Sequence, residues 1–349
     1  MTKYVRISGR IIVNAASLNT QGGAGTNYIE LTKIPVVIKH GNYVLKEVPA
    51  ISGNMIKRYH FVGFVDAFRN TKFKDNLTKE ALRYVAYRFQ EKMTKVESAG
   101  GNSVSLDDES TIIKNLADAD LHGFLAPQTQ VRRESLCKFS FFIPVEEAVA
   151  DENYGIEAVT HNRVIIEETG AIAGRIEEAA AMMLFKRQYA SAPFGFSIVL
   201  DLGLVGVPLA NILKGSQISD EERVERSKAA ILALSNLFTG KTGASTSRAF
   251  PAEKVEEIIA ASCDAPTPAL VHGFYRDYAE QSAKNLGAYV RLVKTSGNNL
   301  PVRVFIYARD NKRRDELKGI FEEELGKENV RVVESPIELL EALCKEIGS

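Results

Sequence analysis

The sequence predicts an α+β fold, and three observations lead to that class. Residues 3–13 alternate apolar and polar side chains well enough to form a strand. Two further strands, near 28–38 and 43–49, are joined by a short turn and followed by a helix. A second strand–helix–strand series follows over about 194–261. Strands and helices therefore alternate in two halves, with other segments inserted between them.

The helix that follows the hairpin is expected to be buried on most sides. Ser52 is a suitable N-cap, and the helix should run to about Phe68. Apolar side chains recur at helical spacing, namely Phe61, Phe64, Val65 and Phe68. Further apolar lines cover the remaining sides, which is typical of a buried helix.

The start of this helix is polar instead, with Asn54, Lys57 and Arg58 expected in its first turn. Two cations there oppose the helix dipole and cost about 0.3–1 kcal/mol each. A phosphate would reverse that sign, because free N–H groups and both cations would face it. From this stretch alone, two solvated surface cations explain the pattern slightly better than a phosphate site does.

Composition restricts the class of protein. The chain has 349 residues with 44 Lys+Arg and 44 Asp+Glu, so it is neutral overall, which counts against a nucleic-acid binder unless its cations cluster in a groove. Without a membrane-length apolar run or a signal peptide, we expect a cytoplasmic protein with no membrane contact. Cys137, Cys263 and Cys344 are far apart, which fits buried thiols better than disulfides or a zinc site.

The remaining elements follow from local patterns. The first half contains a polar loop over 14–27. Between the two halves, the predicted order is an irregular insertion over 71–106, a helix from Asp107 or Asp108 to about Asp118, a strand over 136–145 and an extended hairpin over about 150–190 whose return strand lies near 182–189. The second half comprises a strand over 194–207, a helix from Ser219 to Phe238 closed by Gly240, and a strand over about 249–261. The last segment predicts helices near 274–294, 312–325 and 336–346 and strands near 302–308 and 329–333.

The segment 240–248 is rich in glycine and serine. Gly240-Lys241-Thr242 is not a P-loop, because Ser235 stands where that motif has its first glycine and the order is helix–loop–strand. The loop can still wrap a phosphate through its own N–H groups, with Lys241 and Arg248 beside it. A plain flexible connection explains the composition equally well.

The sequence gives no positive sign of catalysis. The five histidines show no ligand spacing, and no acidic cluster, nucleophile elbow or triad is present. We therefore predict no catalytic residue, no metal and no cofactor. What remains is a dispersed set of polar and basic loops, which suits a long anionic backbone better than a compact small-molecule pocket.

Several of these segments match a known family in order. The matching stretches are 14–30, 48–57, 117–125, 131–133, 161–164, 196–202, 237–240 and 247–251. Over about residues 1–275 the chain resembles the crRNA-binding backbone subunit of Cascade, the Cas-seven family of the RAMP superfamily, and above all its archaeal type I-A, DevR-like branch. No single stretch is specific, but the ordered set is.

The resemblance implies an RRM-like (ferredoxin-like) palm with an antiparallel sheet, a finger-like helical insertion and a thumb β-hairpin. The palm would be discontinuous, over 1–70, 131–150 and 191–349, with the insertion over 71–130 and the thumb over 151–190. The family is non-catalytic: copies stack head to tail along one crRNA, beside other Cascade subunits, and present the guide to a target DNA strand in antiviral defence.

The same resemblance assigns the RNA-binding residues. They are Asn14, Asn19, Gly22 and Gly23 in the first loop, Asn54, Lys57 and Arg58 at the helix start, Arg132 and Arg133, His161 and Arg163 in the thumb, and Lys241, Ser245, Ser247 and Arg248 in the glycine-rich loop. The zero net charge then fits acidic flanks that meet basic flanks of the next copy, which leaves the groove positive.

Two other functions stay open at this point. Some RAMP relatives are endoribonucleases that process precursor crRNA, and His60 or His161 is the candidate acid–base residue, although no catalytic partner is visible. A generic single-strand RNA-binding protein would differ in needing neither a guide nor a defined assembly.

Overall fold

The computed structural model describes residues 3–23, 27–86, 89, 92–163, 183–240, 246 and 249–348, and these form an α+β fold, as predicted. The helices are α1 Gly53–Phe68, α2 Glu109–Asn115, α3 Ala117–His122, α4 Glu146–Ala150, α5 Asp220–Ala233, α6 Ser235–Phe238, α7 Tyr278–Thr295, α8 Asn311–Leu325 and α9 Pro336–Glu346. The strands are β1 Tyr4–Ala16, β2 Thr20–Gly23, β3 Tyr28–Leu31, β4 Lys33–His40, β5 Asn42–Pro49, β6 Lys95–Glu97, β7 Ser103–Ser105, β8 Phe124–Ala126, β9 Val131–Arg133, β10 Cys137–Phe139, β11 Ile143–Pro144, β12 Gly155–Arg163, β13 Met183–Asp201, β14 Ala252–Cys263, β15 Val302–Ala308 and β16 Val330–Val332.

Local sequence signals placed many of these elements correctly. α1 follows Ser52, whose Oγ accepts a hydrogen bond from Met55 N at 3.2 Å. α2 follows Asp108, one of the two predicted caps. The five predicted C-terminal elements are all present, with boundaries shifted by at most four residues.

Four predicted elements are wrong in extent. The strand predicted over 136–145 is interrupted between β10 and β11, because Phe142 leaves the sheet and exchanges backbone hydrogen bonds of 2.9 and 3.0 Å with Ile51. The helices predicted to Asp118 and to Phe238 each break at one residue, giving α2–α3 and α5–α6. The loop predicted over 14–27 is shorter, because β1 continues to Ala16 and β2 occupies part of the remainder.

The long strand β13 differs most from the prediction. The return strand of the hairpin and the strand predicted over 194–207 are one strand of 19 residues that ends at Asp201. Its outer half pairs with β12 as far as Ser191, and its inner half pairs with β1 from Ala190 onward. Ala190 pairs with both Ile156 of β12 and Ala16 of β1, so these two strands lie on opposite edges of β13 and overlap at this residue.

The main sheet has the strand order β16-β15-β14-β1-β13-β3-β2, and β10, β11 and β12 also pair with β13. The prediction of an antiparallel sheet is wrong for two pairs, since β13–β3 and β15–β16 are parallel and the sheet is mixed. β4 and β5, predicted as part of the first half of the palm, form a separate two-stranded sheet.

One face of the main sheet is covered by α1 and α5. Gly63 lies where these helices cross, because a Cβ there would stand 2.9 Å from Ala233 Cα. Phe64 and Phe68 are fully buried in the core beneath, and each contributes about 1.5–3 kcal/mol on burial.

The opposite face is covered by the chain segment 264–277. Arg6 Nε donates to Thr267 O at 3.0 Å, and Ser8 Oγ donates to Val271 O at 2.7 Å. These β1 side chains share one face because strand side chains alternate. This face of the palm is therefore occupied by the protein's own backbone.

Smaller apolar clusters flank this core, and two of them belong to the insertion and to the C-terminal segment. The insertion has its own, which includes Phe89, Val104, Leu106, Ile112 and Phe124. The C-terminal segment forms another between α7, α8 and β15, and β15 extends the main sheet by pairing with β14. Among the described residues, no helix has both the length and the apolar character needed to cross a membrane.

Candidate nucleic-acid interface

The start of α1 is fixed by its own cap residue and by two neighbouring segments. Ser52 caps the helix, and its own N–H donates to Asn19 Oδ1 at 2.7 Å. A Cβ at Gly53 would lie 2.2 Å from Phe139 O, so β10 approaches too closely for a larger residue. Asn19, predicted to line an RNA groove, therefore uses its side-chain oxygen to hold the first loop against this helix.

Lys57 and Arg58 lie in the second turn of α1, not in the first turn as predicted, because the helix begins at Gly53. The influence of the helix dipole falls off within the first turn. The cost expected from two cations at a helix start is therefore smaller than predicted, and any anion would be attracted mainly by the two charges themselves.

A pocket of about 200 Å³ brings together Asn54, Lys57 and Arg58. Asn54 and Arg58 are exposed, and Lys57 is half-buried. The Arg58 guanidinium donates to Tyr84 O and lies 5.7 Å from the centroid of the Phe61 ring. The three predicted residues therefore share one concave, positively charged surface.

A second, larger groove lies at the base of the β12–β13 hairpin, with a volume of about 470 Å³. It is lined by Ala15, Gly155, Glu157, Val159, His161, Tyr189, Ser191 and Ala249. The end of β1, both hairpin strands and the residue after the glycine-rich loop thus meet in one place.

His161 is held in this groove by aromatic neighbours. Its Nε2 lies 2.8 Å from the Tyr189 hydroxyl, and its ring stacks on Phe185 with centroids 5.3 Å apart. Phe185 pairs directly with His161 across the two strands. Sequence reasoning missed Phe185 and Tyr189; their signal is a spacing of four residues, which places both on one face of a strand.

Asn14 lies at the edge of the same groove. It is exposed on β1, and the next residue, Ala15, has a φ of 54° and donates its N–H to Ser191 Oγ at 3.0 Å. This bulge turns the end of β1 toward the hairpin.

The glycine-rich loop leaves α6 at Gly240, where φ is 100°. Thr246 hydrogen-bonds the hydroxyl of Tyr59, so the loop contacts α1 next to Arg58. Ala249, which follows the loop, lines the groove at the hairpin. The predicted residues Lys241, Ser245, Ser247 and Arg248 lie outside the described residues.

Gly22, Gly23 and Arg163 are placed by their backbones. The two glycines belong to β2 and pair with β3, and Arg163 is the last residue of β12. Arg132 is exposed on the separate hairpin formed by β8 and β9. The structure does not bring Arg132 into the lining of either concave surface.

The prediction that Arg133 binds RNA is wrong. Its side chain is fully buried and forms ion pairs with Glu109 at 2.7 Å and Asp120 at 2.6 Å. Those carboxylates and nearby backbone carbonyls occupy the guanidinium donors, so no phosphate can reach them. Alternation along β9 explains the error, because it turns Arg132 outward and Arg133 inward.

The buried position of His60 argues against its catalytic use. It is fully buried on α1, and its Nε2 lies 2.9 Å from Ala230 O. Burial lowers the pKa of His60 to about 4. A side chain without solvent access cannot exchange a proton with an RNA hydroxyl.

Comparison with known proteins decides the family. The model of the family described as CRISPR-associated negative auto-regulator DevR/Csa2 matches residues 7–283. The chain belongs to the DevR/Csa2 family. This DevR/Csa2 chain is 53% identical over 293 residues to the CRISPR-associated protein Cas7/Cst2/DevR of Methanocaldococcus jannaschii, covering 81% of this chain and 90% of that protein. It is 27% identical to the aCascade subunit Cas7/Csa2 2 of Saccharolobus solfataricus, covering 80% and 86%.

Among solved structures, the DevR/Csa2 chain is similar to a chain of a CRISPR RNA-guided surveillance complex in a pre-nicking state. That likeness has 12% sequence identity and a TM-score of 0.48, and covers 99% of this chain and 100% of that chain. Every residue predicted to bind RNA lies inside the range that the family model matches, whereas most of α7 and everything after it lies beyond.

Proposed function

We propose that this protein is a non-catalytic backbone subunit of a CRISPR surveillance complex, which oligomerises along crRNA and presents the guide to a target DNA strand. The observation that carries the proposal is the convergence of separate polar segments beside the hairpin. The groove is lined by His161, by Ala15 next to Asn14, and by Ala249, which follows the glycine-rich loop. Thr246 of that loop hydrogen-bonds Tyr59, the neighbour of Arg58. Membership of the DevR/Csa2 family, with a relative named as an aCascade subunit, supports crRNA and other Cascade subunits as the partners.

The sheet supports an RRM-like palm. In chain order β1, α1, β10, β13, α5 and β14 follow a β-α-β-β-α-β sequence, and their spatial order is β14-β1-β13-β10 with every pair antiparallel. That is the ferredoxin-like arrangement. We infer a palm over 1–70, 131–150 and 191–349, with the finger over 71–130 and the thumb over 151–190.

The covered sheet face restricts where RNA can run. RRM domains stack bases on exposed aromatic residues of their sheet. Here the segment 264–277 lies over that face and accepts hydrogen bonds from Arg6 and Ser8. RNA is therefore proposed to follow the pocket at α1 and the groove at the hairpin instead.

The thumb explains why assembly should be open-ended. β12 and β13 extend from the palm as a hairpin with His161 at its base. A projecting element that contacts the next copy gives a head-to-tail interface, and such interfaces form filaments when the rotation does not close. The neutral chain lets acidic and basic flanks of successive copies pair.

The assembly test shortens the hairpin without disturbing its base. Replacing residues 162–184 by Asn-Gly joins His161 to Phe185, which face each other across the strands, through a two-residue turn. We expect the variant to keep the melting temperature of the wild type and to stay monomeric with crRNA in light scattering. The wild type should grow with RNA length. Undiminished growth of the variant would contradict a role for the thumb in assembly.

Absence of cleavage is tested separately. Incubation of the wild type with labelled precursor crRNA, with and without Mg²⁺, should leave the RNA intact. Specific cleavage that disappears in His161→Ala would replace the backbone role with the endoribonuclease role.

A further inference from the structure

Three side chains that are far apart in sequence meet in the core behind the pocket at α1. They are His60 on α1, His122 at the end of α3 and Cys137 at the start of β10, all buried. One donor atom from each lies within 4.8 Å of the other two. Each comes from a different element, so only the folded chain assembles the group.

The hydrogen bonds around the two imidazoles leave one contact unsatisfied. His60 Nε2 lies 2.9 Å from Ala230 O, and because a carbonyl only accepts, this nitrogen carries the proton and His60 Nδ1 is bare. His60 Nδ1 lies 3.0 Å from His122 Nε2. The other nitrogen, His122 Nδ1, lies 3.3 Å from Asp118 O, which also requires a proton.

A neutral His122 has one proton for these two places. If the proton serves Asp118 O, two bare nitrogens face each other at 3.0 Å; if it serves His60, a bare nitrogen faces a carbonyl oxygen. A second proton on either ring would leave an imidazolium ion buried in the core away from water. A cation between the facing nitrogens removes the conflict.

We propose that His60 Nδ1, His122 Nε2 and Cys137 Sγ bind a zinc-type divalent ion. Two imidazole nitrogens and one thiolate form a donor set typical of zinc. Both outer ring nitrogens then donate to backbone carbonyls, of Ala230 and Asp118, which is how metal-binding histidines are usually oriented. Tetrahedral zinc at about 2.0–2.1 Å from each nitrogen needs a separation near 3.3 Å, close to the one present.

Binding converts the Cys137 thiol to a thiolate and releases its proton to solvent. The fourth ligand is a water from the 200 Å³ pocket, which His122 helps to line. The ion joins α1, the insertion helix α3 and the palm strand β10, so its role is to fix the finger insertion on the palm beneath the candidate RNA surface.

The test uses the full chain with cobalt as the metal. Wild-type protein freed of metal by a chelator and dialysed should bind one Co²⁺ per chain and develop the near-ultraviolet charge-transfer absorption of a thiolate–cobalt bond. Cys137→Ser should lose that absorption. Cys263→Ser removes another buried thiol outside the group and should keep it. Chelator should lower the melting temperature of the wild type and of Cys263→Ser but leave that of Cys137→Ser unchanged.

Metal-free wild-type protein that keeps its native circular dichroism but shows no thiolate absorption with Co²⁺ would overturn the proposal. So would an absorption of full intensity in Cys137→Ser. The wild-type arm decides the question even if a variant fails to fold. The cobalt test does not depend on RNA binding, so failure of the metal proposal leaves the proposed function standing.

Discussion

Arg132 and Arg133 are neighbours in sequence, yet the structure places them in opposite environments. Arg132 is exposed on β9. Arg133 donates five hydrogen bonds of 2.6–3.1 Å, to the carboxylates of Glu109 and Asp120 and to the backbone carbonyls of Asp120, Leu204 and Val207. A cation whose donors are all occupied inside the protein is a structural element, and one facing solvent remains available to a partner.

The same contrast separates the two basic regions of the molecule. Around Asp120, Arg133 and Arg226 form buried ion pairs that connect the insertion with α5. Around Lys57 and Arg58, cations line a pocket open to solvent. A net charge of zero conceals this division, because it counts buried, paired cations and surface cations alike.

The largest effect is expected for Arg133→Ala. Removing the guanidinium leaves the buried Glu109 carboxylate without its ion-pair partner and leaves Asp120 with Arg226 as its remaining one, which costs about 3–5 kcal/mol. Chemical denaturation should show that loss. The matched control Arg132→Ala should change the free energy of unfolding by less than about 0.5 kcal/mol. If Arg133→Ala were as stable as the wild type and bound crRNA more weakly, Arg133 would belong to the interface after all.

The partly buried His272 extends the comparison to pH. His272 Nε2 lies 2.9 Å from Phe141 O, and burial lowers the pKa of His272. The unfolded chain therefore binds this proton first as pH falls below about 6.5, so this contribution to stability is present above that pH and is lost toward acid. Between pH 7 and 5, the wild type should lose more stability than His272→Gln, by at most about 1.4 kcal/mol per pH unit. Equal pH profiles would show that His272 does not titrate with unfolding.

Asn19 and Asn14 make the same comparison with neutral side chains. Asn19→Ala removes the acceptor for Ser52 N and should lower the free energy of unfolding by about 1 kcal/mol. Asn14 is exposed on β1, so Asn14→Ala should leave stability unchanged while weakening crRNA binding. The reverse result, a stable Asn19→Ala and an unstable Asn14→Ala, would exchange their roles.

Short-range signals were enough to predict much of this fold. Caps at Ser52, Asp108 and Ser219 fixed three helix starts. The merging of two strands into β13 was not predictable, because it depends on partners from distant segments. The buried site of Arg133 and the meeting of His60 with His122 and Cys137 likewise depend on tertiary contacts between residues 13 to 77 positions apart, which no local pattern records.

The candidate interface was predictable in its parts but not in its geometry. Polar segments at Asn14, Lys57 and His161 were visible as departures from the apolar pattern. The position of His161 in the groove follows from the register of β12 with β13, which places Phe185 and Tyr189 beside it. That register is set by pairing between strands and cannot be read from either strand alone.

The salt dependence of crRNA binding by Lys57→Ala tests the central claim most directly. A lysine that neutralises one phosphate of a single strand contributes about 0.7 to the slope of log K against log salt concentration. Lys57→Ala should lower the slope by about that amount and weaken binding equally for all guide sequences, with little change in stability. Lys294→Ala, an exposed lysine on α7 beyond the family match, should leave the slope unchanged. An unchanged slope in Lys57→Ala, or equal losses in both variants, would contradict an RNA surface at the start of α1.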